Sequence, residues 1–252
     1  MKKWQNLENN LLFIGILGGM VGLTEVIVRY REIPAYILPA PTRVMTAMAE
    51  QREVLFMHGL TTVGESVSGF VVSIILALIM GGMIYPFKRL KEILYPFLLI
   101  SQTIPLIAIA PIILIWMGFG VFPKVVIVVL ICTFPILISF LEGLDQVDRE
   151  LIDLMRVMRA DKKTIFFKGV LPGSLPSFFA GLKIAATYAV MGAVIGEWLG
   201  AERGLGIYMT RAISSFRTDN LFGAIIVVVV LSISLFKGVE AVERFVMPWK
   251  RD

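Results

Sequence analysis

The chain has 252 residues, of which 57% are hydrophobic, and a mean hydropathy of +0.83. It is too apolar for a soluble domain of that length, and the composition assigns it to the all-α polytopic membrane proteins. The formal net charge is +5, but the basic residues stand in short loops between apolar spans, where membrane topology accounts for them and a nucleic-acid partner is not expected. The one cysteine, Cys132, lies inside an apolar stretch, so no intrachain disulfide forms and no metal site is expected.

Lys2 and Lys3 precede a first apolar run at residues 11–28, about the length that crosses roughly 30 Å of hydrocarbon. With no prompt cleavage site after it, the run reads as an uncleaved span. Gly15, Gly18, Gly19 and Gly22 are spaced for close helix packing, and Glu25 lies near the span's end. In the following loop Pro39 and Pro41 forbid a continuous helix. Thr42 is placed to cap an amphipathic segment running to about Phe56 along the membrane surface. A second span at 60–85 carries Gly69, Ser73, Ala77 and Gly81 at four-residue steps, a smooth face for another helix.

A short basic turn with Lys88, Arg89 and Lys91 leads to a third span at 93–116. There Gln102 and Thr103 precede Pro105 and Pro111. Polar groups beside a proline-broken helix suit a lined pathway, and equally a kink resolved by packing. A fourth span is expected at 125–141, with Pro135. The fifth, at 178–199, repeats Gly181, Ala185, Ala189 and Ala193 and ends at Glu197 and Trp198. A carboxylate at that depth must face a neighbour, water or cargo, while Lys183 is expected to snorkel to the surface. A sixth, Val-rich span is expected at 221–236.

Between the fourth and fifth spans lies the longest charged region, residues 142–177. Leu144, Val147, Leu151, Leu154 and Met158 recur at spacings of three and four, one amphipathic helix. Asp161 is a good N-cap for a second, short helix at 162–168, whose apolar tip of Ile165, Phe166 and Phe167 is flanked by Lys162, Lys163 and Lys168. Gly169, Leu171, Pro172, Gly173 and Pro176 are expected to end that helix. The region reads either as a loop packed on its own membrane domain or as a docking element for a soluble partner.

Six spans put both termini on one side. With the termini inside, 15 basic residues face the cytoplasm and 8 lie outside, Lys124 among the outer ones; both ends and the 142–177 loop are therefore expected in the cytoplasm. The sequence contains no G-x-x-x-x-G-K-S/T, H-E-x-x-H or G-x-S-x-G, so an enzyme is not expected and uphill movement needs a partner or an ion gradient. A self-contained secondary carrier would use Glu197, Glu25 or Gln102 as its ion relay. A membrane scaffold without transport is a third reading.

Asp153-Leu154-Met155, then Arg159, then Leu171-Pro172 keep the spacing of the cytoplasmic signature E-A-A-x3-G-x9-I-x-L-P of ABC importer permeases. The chain also resembles their nitrate, sulfonate, taurine and thiamin-precursor branch at Leu38-Pro39-Ala40-Pro41, Ile104-Pro105-Leu106, Trp116-Met117-Gly118-Phe119-Gly120, Gly196-Glu197-Trp198-Leu199-Gly200-Ala201 and Gly204-Leu205-Gly206. The signature departs from the family pattern: Leu154 and Met155 replace the alanines, Arg159 the glycine, and Gly169 the usual isoleucine. The resemblance implies a type I ABC importer fold: six transmembrane helices and one permease domain over residues 1–252. It implies a coupling helix at 162–168 seated on an ATPase, with Asp153, Arg156, Arg159, Ala160, Asp161, Lys162, Lys163, Ile165, Phe166, Phe167 and Lys168 at that contact. Gln102, Thr103, Pro105, Glu197 and Trp198 would line the pathway.

The implied partners are a second copy of the chain, two cytoplasmic ATPases that hold ATP and Mg, and an extracytoplasmic binding protein. That protein would dock around Pro39 to Arg43 and Glu202 to Phe216, on a bacterial inner-membrane protein. The 196–201 stretch looks most like the thiamin-precursor permeases, a carboxylate beside an indole suiting a neutral or weakly basic heterocycle; a sulfonate, taurine or nitrate is the alternative cargo.

Overall fold

A computed structural model of the protein describes the backbone of residues 2–250 and leaves out the side chains of residues 2–11, 13, 14, 17 and 250. The expected inner charges Lys2, Lys3, Lys250 and Arg251 thus fall outside the described side chains. Among the described residues all regular structure is helical: α1 Lys2–Tyr30, α2 Pro41–Glu50, α3 Arg52–Ile84, α4 Lys88–Thr103, α5 Leu106–Met117, α6 Val121–Asp145, α7 Arg149–Val157, α8 Lys162–Ile165, α9 Leu171–Trp198, α10 Leu205–Ser214 and α11 Thr218–Val246.

The body is built on α6, which packs along α9 and α3. Small residues bring these helices together. A Cβ at Gly69 would stand 2.5 Å from Val128, and one at Gly81 2.5 Å from Phe140, so the four-residue stripe of α3 is the face that meets α6. On α9, Gly181 abuts Ser139, and the Cys132 thiol donates to the Ala185 carbonyl at 3.3 Å. Ile127, Ile136, Leu137 and Leu141 of α6 are fully buried in the resulting core.

Among the described residues four helical stretches are long and apolar enough to cross a membrane: Arg52–Ile84, Val121–Asp145, Lys162–Trp198 and Thr218–Val246. The 25 residues of α6 extend about 38 Å at 1.5 Å per residue, enough for the hydrocarbon layer. The pair α4 and α5 would be a fifth span, bent by 95°. The third expected span is thus not one rod: it breaks at Ile104 and Pro105, both in extended backbone, because Pro105 lacks the amide and disfavours helical φ/ψ in the residue before it. Pro111 is carried inside α5. The first expected span falls on α1, which at 29 residues is long enough to cross; no described atom comes within 4 Å of a Cβ built on Gly15, Gly18, Gly19 or Gly22.

Other boundaries differ from the sequence expectation. The surface segment ends at Glu50, and the second transmembrane helix starts at Arg52. Glu25, not Thr42, supplies the acceptor at the start of α2. Its carboxylate accepts from the Thr42 amide at 3.0 Å and hydroxyl at 2.8 Å and is held by Arg29 at 2.5 Å. Lys183 does not run free to the surface; its ammonium lies 2.5 Å from the Glu243 carboxylate.

Candidate functional site

At one end of the bundle, residues 142–177 form a compact cap over the ends of α3, α4 and α6. The anticipated single amphipathic helix is in two parts. Leu144 and Val147 are buried at and just beyond the end of α6, and α7 begins only at Arg149, where the Asp148 carboxylate accepts from the Glu150 amide at 2.9 Å. The break follows from that competing Asp cap. Within α7, Ile152 packs inward, whereas Leu151, Leu154, Val157 and Met158 are exposed. Asp153 and Arg156 pair on the surface at 2.9 Å.

Arg159 ends the segment at φ +58°, the left-handed region that the family pattern fills with glycine. The Thr164 amide donates to the Asp161 carboxylate at 3.2 Å. Hydrogen bonds from the Thr164 side chain and then from its amide hold the Asp161 carboxyl below its usual range, and Ala160 is half-buried beside it.

The short helix expected at 162–168 is not a separate element. After α8 the chain passes through a π-helical turn, Phe166–Val170, straight into α9. Pro172 causes no break, because it stands in the first turn of α9, where an amide is not required. The apolar tip divides accordingly. Ile165 and Phe166 pack on the chain's own core, with the Phe166 ring 5.7 Å from that of Tyr85. Phe167 stands edge-on to Phe166 and is 64% exposed. Lys162, Lys163 and Lys168 are exposed around it. Ile165 and Phe166 are therefore corrected from outward anchors to internal ones, since the continuous helix turns them toward Tyr85.

The departures from the family signature compensate one another in space. A Cβ at Gly169 would lie 2.9 Å from the Met155 sulfur. The large side chain at an alanine position thus occupies room that an isoleucine would otherwise fill. Between this cap and α4 opens a groove of about 1270 Å³, with Lys88, Lys91, Glu142, Asp145, Arg149 and Lys163 among its lining residues. Lys91 pairs there with Asp145, and the Tyr95 hydroxyl donates to Glu142 at 2.6 Å.

The opposite end holds a buried polar lock. Glu197 is fully buried at the end of α9; it accepts from the Gly206 amide at 2.6 Å and the Thr62 hydroxyl at 2.7 Å. Thr62 in turn accepts from the Leu205 amide at 2.9 Å, and His58 Nδ1 accepts from the Gly204 amide at 2.9 Å. The first amides of α10 are thereby satisfied by side chains of α3 and α9. Gly204 is required at the crossing: its φ is +129°, and a Cβ would collide with the Glu197 carboxyl. Close by, Lys124 and Glu65 form an ion pair at 2.5 Å, with 6% and 2% side-chain exposure.

Lys124 is thus not an outer-loop charge but a core residue of α6. Glu65, His58 and Thr62 carried no signal of their own in the sequence; Thr62 and Ser66 extend, at spacings of three and four, the small-residue face that begins at Gly69.

Glu197 belongs to this closed socket and not to a cavity wall, because helix N-terminal amides are the nearest donors for a carboxylate at that depth. Trp198 beside it is 39% exposed. Gln102, Thr103 and Pro105 are exposed at the α4–α5 bend, whereas Glu197 is fully buried. Of the three alternative relay residues, Glu25 accepts at the start of α2, Glu197 accepts at the start of α10, and Gln102 is exposed.

Residues 73–251 match the family described as "binding-protein-dependent transport system inner membrane component". The formylaminopyrimidine transport permease protein ThiX of Halalkalibacterium halodurans is 34% identical over 99% of this chain and 98% of its own length. The riboflavin transport system permease protein RibX of Chloroflexus aurantiacus is 32% identical over 86% of this chain and 82% of its own. Among solved structures, an inward-facing MetNI methionine ABC transporter chain superposes with a TM-score of 0.68 over 78% of this chain and 98% of that one, at 18% identity, a likeness of fold. A family match across most of the chain and a full-length relative above 30% identity agree with this helical architecture, and the chain therefore belongs to the binding-protein-dependent inner membrane components, the permease subunits of ABC importers with the type I fold.

Proposed function

We propose that this permease moves a small pyrimidine-type heterocycle inward, delivered by an extracytoplasmic binding protein and driven by cytoplasmic ATPases that meet the α7–α8 cap. The cargo reading is supported by the full-length similarity to a formylaminopyrimidine permease, at 34% identity, against 26% for an aliphatic sulfonate permease and 23% for a taurine permease. It no longer draws on Glu197 as a cargo contact. ATP and Mg belong to the ATPase in this reading, and the permease works as a pair of like chains with both termini in the cytoplasm, as the distribution of basic residues supports.

The observation that carries the coupling reading is the unpartnered apolar surface of the cap. Leu154, Val157, Met158 and Phe167 are all more than half exposed beside the cations Lys162, Lys163 and Lys168, an apolar patch with a charged rim. On the far side the two anticipated outer loops meet, Arg43 approaching Asp219 at 3.4 Å and the Thr218 hydroxyl donating to the Tyr36 carbonyl at 2.7 Å. Their shared hollow of about 530 Å³ is a reasonable seat for the binding protein.

Phe167→Glu tests the coupling without disturbing the core, which Phe166→Glu would. The variant is expected to be inserted at normal levels, to lose co-purification with the ATPase and to stop uptake; unchanged uptake rejects the reading. For the cargo, the ligand of the cognate binding protein decides: a tightly bound pyrimidine is expected, and a sulfonate or nitrate in its place rejects the pyrimidine.

A further inference from the structure

We infer that the groove between α4 and the α7–α8 cap is an anion site for a phosphate group, either that of an anionic phospholipid headgroup or free phosphate. Six basic and three acidic side chains line it, a formal balance of +3. Two of the basic ones are already neutralised, Lys91 by Asp145 and Arg156 by Asp153. Of the three acids, Asp145 is taken by Lys91, whereas Glu92 and Glu142, the latter accepting from the neutral Tyr95 hydroxyl, have no cation partner among the described residues. Lys88, Arg149, Lys162 and Lys163 have no ion-pair partner among the described residues, and they approach the hollow from three different elements: the start of α4, the start of α7 and α8.

Four unpaired cations against two unpaired carboxylates leave a local excess of positive charge along one concavity, which favours an anion there more than scattered surface lysines do. The groove's position favours phosphate chemistry in particular. It lies at the helix ends, where α3 turns into α4 through Tyr85 and Pro86 and where Tyr95 and Phe166 also face the hollow. Aromatic rings and basic side chains together at that level are the pattern of a headgroup pocket between membrane helices. Its volume of about 1270 Å³ is ample for a phosphate-bearing group, above the roughly 300–1,000 Å³ of ordinary small-molecule pockets. The inference rests on the membrane placement of the proposed function but not on the ATPase or the cargo.

Lys88 and Arg149 belong neither to the apolar patch nor to the Lys162, Lys163 and Lys168 rim proposed to meet the ATPase, which makes Lys88→Gln with Arg149→Gln the informative variant. The full-length permease would be purified and its retained lipid read by native mass spectrometry from mixtures of phosphatidylglycerol and phosphatidylcholine. A second arm in phosphatidylcholine alone would compare thermal stability in inorganic phosphate with that in chloride at equal ionic strength. At about fivefold per cation, the double variant is expected to bind about 25-fold more weakly in whichever arm the wild type responds, and Lys88→Arg with Arg149→Lys to restore binding.

A response confined to the first arm identifies the headgroup, and one confined to the second identifies free phosphate. Equal retention of both lipids with no phosphate effect in the wild type overturns the site. So does a double variant that keeps the wild type's anion response. Because both readouts use the isolated permease, failure of the proposed cargo or coupling leaves them unaffected.

Discussion

Lys124→Met isolates the cost of the buried ion pair between α6 and α3. The two side chains are 6% and 2% exposed, and they meet at 2.5 Å. The second carboxylate oxygen of Glu65 has no hydrogen-bond partner among the described residues, so losing the lysine leaves neither oxygen with its cation. Removing one member of such a pair costs about 3–5 kcal/mol, because the remaining charge stays in an apolar setting. Replacing both, Glu65→Leu with Lys124→Met, removes the stranded charge and is expected to return stability to within about 1 kcal/mol of the wild type.

With either single variant costing about 3–5 kcal/mol and the double variant within about 1 kcal/mol of the wild type, the cycle predicts a coupling of at least about 5 kcal/mol, well above the roughly 0.5 kcal/mol expected for independent sites. Equilibrium unfolding of the wild type, both single variants and the double variant in mixed detergent micelles measures it. A Lys124→Met protein within 1 kcal/mol of the wild type would refute the reasoning; so would a double variant no more stable than the worse single one.

At the cap, Gly169→Ile should clash with Met155 and lower stability by about 1–3 kcal/mol. Adding Met155→Ala should recover most of the loss in the same thermal unfolding assay. Glu197→Ala should strand the Gly206 amide at about 1–3 kcal/mol, the Thr62 hydroxyl keeping the His58 carbonyl as acceptor, and show as faster hydrogen exchange over residues 203–207, with Glu197→Gln markedly milder. The Asp161 carboxyl is lowered by its bonds from Thr164. Its cap is therefore fully present above the unfolded value of about 4 and is lost as pH falls through the lower folded value. The start of α8 should be insensitive to pH across the neutral range, while Asp161→Ala should fray it at every pH, read by hydrogen exchange at Thr164.

The helical membrane class, the small-residue faces of α3 and α9, the Asp161 cap and the break at Pro105 were all legible in the linear chain. Each depends on local chemistry or on a period of about four residues, and neither needs knowledge of the neighbour. Family membership was legible too, since the signature spacing survives the substitution of its residues.

Other features depend on what lies opposite in space. Nothing near Gly169 in sequence reveals that Met155 fills the space above it, and nothing near Lys124 reveals Glu65, 59 residues away. Phe166 and Phe167 are neighbours with the same side chain, yet one is an internal anchor and the other an exposed tip, because a π-helical turn joins α8 to α9 and sets their directions. Glu197 shows the division most clearly. That a carboxylate at such depth must have partners follows from solvation energy alone; that the partners are the Gly206 amide at the start of α10 and a threonine of α3 was decided only when the loop after α9 folded back over the end of its own helix.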